Sequence, residues 1–297
     1  MTVDSVVPFL AKAKKEEKSL GEIMIEHEVS VQESNEEKIT TAMKEIWEVM
    51  VNSIEQGLKI TKRSPSGMSG GDAKKILVKS KKGKSLSGKN ILKVAARAIG
   101  VAEYSSSMGI IVASPTAGSS GVVPAVVYTA AEICDASEES IIKGLFASGL
   151  IGLVCDAKAS TSGSEHGCQA EIGVSAAMAA AAAVEIAGGT AEEAVNAAAL
   201  MLKNSLGLAC DPVAGLVETP CIKRNGMMAA EALLADMSLS GVKSNIPFDE
   251  VVVAMDDIGQ MMPCEIKETS EGGLAKTKTG KAYKIRLRSS GKRQLED

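Results

Sequence analysis

Three short polar segments interrupt an otherwise apolar chain of 297 residues, and they hold the side chains best suited to chemistry. The first is Ala113-Ser114-Pro115-Thr116-Ala117-Gly118-Ser119-Ser120-Gly121, which sets glycines and hydroxyls just ahead of a predicted helix. Free backbone N–H groups and the positive end of a helix dipole make such a loop a cradle for an anion, for example a carboxylate. The loop lacks the Gly-Lys-Ser/Thr ending of a phosphate-binding loop and is no dinucleotide fingerprint. An ordinary turn with a capping serine fits the same residues.

The second segment is Gly163-Ser164-Glu165-His166-Gly167-Cys168-Gln169-Ala170-Glu171, and the third runs from Cys210-Asp211-Pro212 to Thr219-Pro220-Cys221. Between them they put Cys168, Cys210 and Cys221 into turn-forming stretches rich in Gly and Pro. The other three of the six cysteines differ. Cys134 and Cys155 fall in apolar helical runs, where a free thiol behaves as a small hydrophobe, and Cys264 follows a helix end. A structural zinc site wants four closed ligands, commonly with Cys-x-x-Cys spacing, which is absent. A cubane cluster is usually held by four thiolates; held by three, it leaves one iron open as a Lewis acid. The spacings, 42 and then 11 positions, match no general metal pattern. Chemistry alone leaves both readings open, three ligands or three core cysteines.

Directly after Cys221 come Lys223, Arg224 and Asn225. Cations beside a thiolate can hold a substrate carboxylate or balance charge, although a basic helix start on the surface has the same sequence. His166, one of two histidines, is a candidate proton carrier because imidazole titrates near neutrality. His27, in a charged helix, reads as a surface residue.

The elements that must position these groups are helices. Hydrophobic residues make up 45% of the chain but aromatics only 2%, so the core must be Ala, Val, Ile, Leu and Met. Small side chains let helix backbones approach closely, and the lack of aromatic platforms argues against reading nucleic-acid bases by stacking. The net charge of −4 creates no field for a polyanion. The lysine-rich stretch from Lys74 to Lys93 and the basic stretch from Lys276 to Arg293 read as a solvated loop and a tail. The longest apolar runs, 144–154 and 174–184, fall short of the ~18 residues of a membrane span. The charged N-terminal stretch does not resemble a signal peptide. A cytoplasmic protein is expected, with its cysteines reduced.

Period and punctuation predict an all-α fold. Residues 1–60 are helical, with Ile39, Met43, Ile46, Val49 and Met50 on one apolar face. Ser64-Pro65-Ser66-Gly67-Met68-Ser69-Gly70-Gly71 is a loop, and the lysine-rich stretch continues it to a soft boundary near residue 90. Further helices are predicted over 91–104, 124–135, 138–156, 172–187, 191–206 and 247–262. Ser137 caps one of them, and Thr190 with Glu193 forms a capping box for another. The organisation expected is an N-terminal helical region with its loop (1–90), a catalytic helical domain continuous with it (91–275), and a basic disordered tail (276–297).

The three polar segments are also where the chain resembles a known family, the iron–sulfur-dependent L-serine dehydratases. Ser-Pro-Thr-Ala-Gly-Ser-Ser-Gly at 114–121 resembles that family's substrate loop. Gly-Cys-Gln-Ala-Glu-Ile-Gly at 167–173 and the run from Cys210 to Asn225 resemble its two cluster-binding segments. Met255-Asp256-Asp257-Ile258-Gly259 through Gly272-Gly273-Leu274 resembles its closing segment. The likeness covers roughly residues 20–275. It implies a [4Fe–4S] cluster on Cys168, Cys210 and Cys221 with the fourth iron free, and deamination of L-serine to pyruvate and ammonia without pyridoxal phosphate. It further implies that Ser114, Thr116, Gly118 and Ser119 hold the substrate carboxylate, with help from Lys223, Arg224 and Asn225.

Single-chain relatives carry a Gly-Pro-Ser-Ser-Ser-His-Thr-type loop in a preceding domain, and no such string occurs here. The nearest, Ser105-Ser106-Ser107-Met108, lacks the histidine. The resemblance therefore implies a separate α subunit that needs a β subunit, with no nucleic-acid or membrane partner. The competing expectations are a lyase for threonine or cysteine, a redox sensor whose fourth ligand is Cys155 or Cys264, and a metal-free scaffold.

Overall fold

Residues 3–293 are described by the structure, a computed structural model. In chain order the first helices are α1 (Val7–Glu16), α2 (Leu20–Val31), α3 (Glu36–Gly57), α4 (Asp72–Lys81) and α5 (Gly88–Ser106). The central ones are α6 (Val122–Cys134), α7 (Glu138–Lys158), α8 (Gly163–His166), α9 (Val174–Ile186) and α10 (Ala191–Asn204). Then follow α11 (Cys221–Ala232), α12 (Asp236–Leu239), α13 (Phe248–Met261) and α14 (Lys278–Arg293). Among the described residues there is no strand, and a parallel bridge joins Cys210 to Lys267. The fold is all-α.

Local chemistry sets many of the starts. Ser19 with Glu22 and Thr190 with Glu193 close capping boxes at α2 and α10, and Ser137 caps α7. The core is organised around α9, every residue of which is buried. It packs against α6, α7, α10 and α11. Its alanine run lets these neighbours close in, and α7 approaches over glycines: a Cβ on Gly144 would stand 2.9 Å from the Ile186 side chain. A helix apolar on every side is one surrounded by other helices. That also corrects the expectation about apolar length, because 138–158 and 169–186 do reach the length and hydropathy of a membrane span. The second of these is 94% buried within the bundle, and the surrounding helices account for its composition.

Three further expectations need correction. The lysine-rich stretch contains a helix, α4, because Glu103 reaches its start from α5. Fully buried, Glu103 accepts the backbone N–H groups of Gly70, Gly71, Asp72 and Ala73 at 2.9–3.4 Å. The basic stretch expected to be disordered is helical over Lys278–Arg293, with the Thr277 hydroxyl accepting the Gly280 N–H at 3.0 Å as its cap. The Arg286 guanidinium in that helix donates to the Ser66 carbonyl at 2.9 Å. Residues 294–297 of the expected tail lie outside the described residues. His27 is buried edge-on against Phe9, ring centroids 5.2 Å apart, rather than on the surface.

Candidate active site

Ahead of α9 the chain makes a wider turn, a π-helix over Gln169–Gly173. Such turns recur at functional sites because they re-aim the side chains beside them. Two devices hold this one. Gly167 sits at φ +73°, where a Cβ would stand 2.7 Å from the Met262 sulfur. The buried Gln169 amide donates to the Met255 carbonyl and accepts the Gly207 N–H, both at 2.9 Å. The turn delivers Cys168 to the interior, facing Cys210.

The two thiols interact. Cys168 is held below the usual thiol range, first by the hydrogen bond from Cys210 and then by the Arg224 guanidinium. Cys210 is pushed up, first by that same hydrogen bond and then by burial. Cys221, in the first turn of α11, feels the charges of Cys168 and Glu171, although burial is the main force pushing it up to about 12. An interaction with Cys168 thus reaches both of the other loop cysteines.

Backbone contacts fix Cys210 from outside. Its N–H donates to the Ile266 carbonyl and its carbonyl accepts the Glu268 N–H, each at 2.8 Å. Next to it, buried Asp211 accepts the Leu274 N–H at 2.7 Å and a guanidinium N–H of Arg224 at 3.3 Å. Gly273 lets this segment lie so close, since a Cβ there would be 2.3 Å from the Asp211 carboxylate. Arg224 also donates to the Ala209 carbonyl at 2.7 Å. One side chain so links the cysteine pair, the Cys210 loop and the closing segment.

The hydroxyl loop reaches this centre through Glu171. Thr116 donates to one carboxylate oxygen at 2.9 Å, and the Cys210 thiol stands 3.7 Å from the other. Burial is the main reason the Glu171 carboxyl is shifted upward. Ser119 is buried and donates to the Ser114 carbonyl at 3.2 Å, while Ser175 of α9 donates to the Ser119 carbonyl at 3.1 Å. The Ser114 and Ser120 hydroxyls are buried with no hydrogen-bond partner. A native structure seldom leaves such groups unpaired without a reason, and a ligand is one.

Not every residue singled out in the sequence joins the site. Asn225 is fully buried and spends its amide on backbone: it donates to the Gly118 and Cys221 carbonyls and accepts the Gly121 N–H. It braces the hydroxyl loop, and Gly118 takes part through its carbonyl. Lys223 points the other way, pairing with Asp72 of α4 at 2.7 Å. One step along a helix turns a side chain by about 100°, so Lys223 and Arg224 cannot share a target. His166 lies against Asp256 of α13 at 2.6 Å through Nε2, packed on Gly259, with Nδ1 buried and unpartnered.

The remaining cysteines have other surroundings. Cys155 is buried in α7 with Asp156 and Asp249 as its charged neighbours. The Cys264 thiol is exposed beside Glu265, and Cys134 is exposed at the end of α6 rather than buried as a small hydrophobe. Among the described residues, no three Cys, His, Asp or Glu side chains are drawn tightly enough for a single metal ion. Sequence reasoning passed over Glu171 and Asp211 as functional residues. The signal for Glu171 was its place three residues after Cys168.

A family model described as serine dehydratase alpha chain matches residues 15–275. The probable L-serine dehydratase, alpha chain, of Bacillus subtilis is 46% identical over 276 residues, covering 92% of this chain and 91% of that one. The L-serine dehydratase, alpha chain, of Peptoniphilus asaccharolyticus is 42% identical, covering 87% of this chain and 89% of its own. L-serine dehydratase TdcG of Escherichia coli is 34% identical and is matched over 58% of its length. The match takes in all three polar segments and the closing segment, and the chain belongs to the serine dehydratase alpha chain family.

Proposed function

We propose that this chain is the catalytic α subunit of an L-serine dehydratase, forming pyruvate and ammonia, with Cys168, Cys210 and Cys221 holding a [4Fe–4S] cluster. The observation that carries the reading is that Cys168 interacts with both of the other thiols and with Arg224, beside a loop with unpaired buried hydroxyls. The donor set fits the group. Arg224 beside Cys168 balances thiolate charge, and Cys155 is buried in α7 beside Asp156 and Asp249. When bound, a cubane held by three thiolates supplies a Lewis acid at its remaining iron, which eases departure of the substrate hydroxyl.

The chain's own residues do the rest. The loop over 114–121 offers the unpaired Ser114 and Ser120 hydroxyls and the start of α6 to the substrate carboxylate. Asn225 and Ser175 hold that loop in place so that no reorganisation is needed when substrate arrives. Asp211 ties the closing segment over Cys210, which keeps water from the thiols. Loss of the α-proton and the hydroxyl gives 2-aminoacrylate and water, and its imine tautomer hydrolyses to pyruvate and ammonia. A β subunit completes the enzyme on this reading. The relatives named alpha chain are matched over most of their length, whereas TdcG is matched over little more than half.

Anaerobic purification with the β subunit co-expressed tests the proposal. A brown protein with about four irons per α chain, whose visible spectrum shifts on adding L-serine and which releases pyruvate, supports it. Iron that ignores serine points instead to a redox sensor, and a colourless, metal-free protein to a scaffold.

A further inference from the structure

We infer that the Glu171 carboxylate receives the α-ammonium group of the substrate and is the feature by which this site tells an amino acid from a hydroxy acid. The inference rests on the serine reading above and deepens it. A carboxylate taken out of water is costly unless it is paired and hydrogen-bonded. Glu171 is partly buried, and its partners are one hydroxyl, Thr116, and one thiol, Cys210. An ionised carboxylate offers about four acceptor positions, so half of its capacity is unused. Among the described residues it forms no ion pair. The nearby cation, Arg224, is already committed to the Ala209 carbonyl and Asp211. What this carboxylate lacks is a cation.

Its position says which cation. One oxygen faces the hydroxyl loop, where a Cβ on Gly118 would stand 3.6 Å away, and the other faces Cys210. Glu171 therefore lies between the proposed seat of the substrate carboxylate and the thiols beside which the hydroxyl is lost. In an α-amino acid the ammonium is carried by the carbon that joins those two groups, which brings it within reach of Glu171. The side away from the hydroxyl loop is walled by backbone: a Cβ on Gly163 would come within 2.5 Å of the second oxygen. Glu268 adds negative charge nearby, which favours the same guest.

The test compares wild type, Glu171→Gln and Glu171→Asp as cluster-loaded α/β holoenzymes under anaerobic conditions. Two ligands are titrated calorimetrically, L-serine and 3-hydroxypropanoate, which is serine without its amino group; iron content and turnover are followed alongside. Removing a hydrogen bond to a charged group costs about ten- to a hundredfold in affinity. Glu171→Gln is expected to weaken L-serine by that factor and leave 3-hydroxypropanoate unchanged or tighter, with full iron. Glu171→Asp keeps the charge and keeps a preference for serine over its deaminated analogue, a result that decides the matter even where the Gln variant fails to fold. Equal weakening of both ligands, loss of iron from both variants, or an undiminished serine preference in Glu171→Gln overturns the inference. A wild-type enzyme that discriminates between the ligands but makes no pyruvate overturns the dehydratase reading and leaves the ammonium site standing.

Discussion

The Asn225 amide donates to the Gly118 carbonyl at 2.8 Å, joining residues 107 positions apart in the chain. The same side chain accepts the Gly121 N–H and donates to Cys221, so one asparagine fixes the hydroxyl loop to the helix that carries a cysteine. Replacing it leaves buried backbone groups without partners, each costing about 1–3 kcal/mol. Asn225→Ala is expected to lose about 3 kcal/mol of stability, measured by urea unfolding. A loss below about 0.5 kcal/mol, the range of an ordinary surface change, would remove Asn225 as the brace.

Burial pushes the Glu185 carboxyl upward, and one of its oxygens has no hydrogen-bond partner. An acid whose folded value exceeds its ordinary 4.5 contributes stability that is fully present below 4.5 and lost as pH rises through the folded value. Near neutral pH the buried charge is therefore a liability. Glu185→Gln is expected to stabilise the protein there by about 1 kcal/mol, with the gain fading as pH falls towards 4.5. Thermal unfolding across that range checks it, and a gain that grows on acidification would reverse the sign of the argument.

His166 is held by Asp256 and packed on Gly259, which suits a tie between α8 and α13. A general base contributes about 10²–10⁴ in rate. His166→Gln, which can keep the contact to Asp256, is expected to retain full iron and turnover within about tenfold of wild type. A loss of about 10² or more at full iron would identify His166 as the proton acceptor.

The parts of this architecture that were legible in the sequence are those set by local chemistry. Thr190 with Glu193, and Ser137 before Glu138, mark helix starts within four residues of chain, and both occur where expected. The alanine run of α9 likewise announces a buried helix. What stayed hidden depends on partners distant in sequence. Helix α4 looks like a solvated lysine-rich loop until Glu103 of α5 is seen to collect its free N–H groups.

The site divides along the same line. Cysteine type and turn context picked out the three thiols as candidates, but not the Arg224 guanidinium that acts on Cys168. Lys223, Arg224 and Asn225 read as one basic cluster, and helix geometry sends them to Asp72, Asp211 and Gly118 respectively. Glu171 escaped notice because only the fold sets it against Thr116 and Cys210.

The central claim is that three thiols hold one iron–sulfur centre, and iron content per α chain tests it most directly. Measured on anaerobically purified α/β enzyme, Cys168→Ala, Cys210→Ala and Cys221→Ala are each expected to lose the iron and the serine-dependent spectrum. Cys134→Ala and Cys264→Ala, whose thiols are exposed, are expected to keep both. Full iron in any of the first three, or its loss in Cys264→Ala, would contradict the assignment.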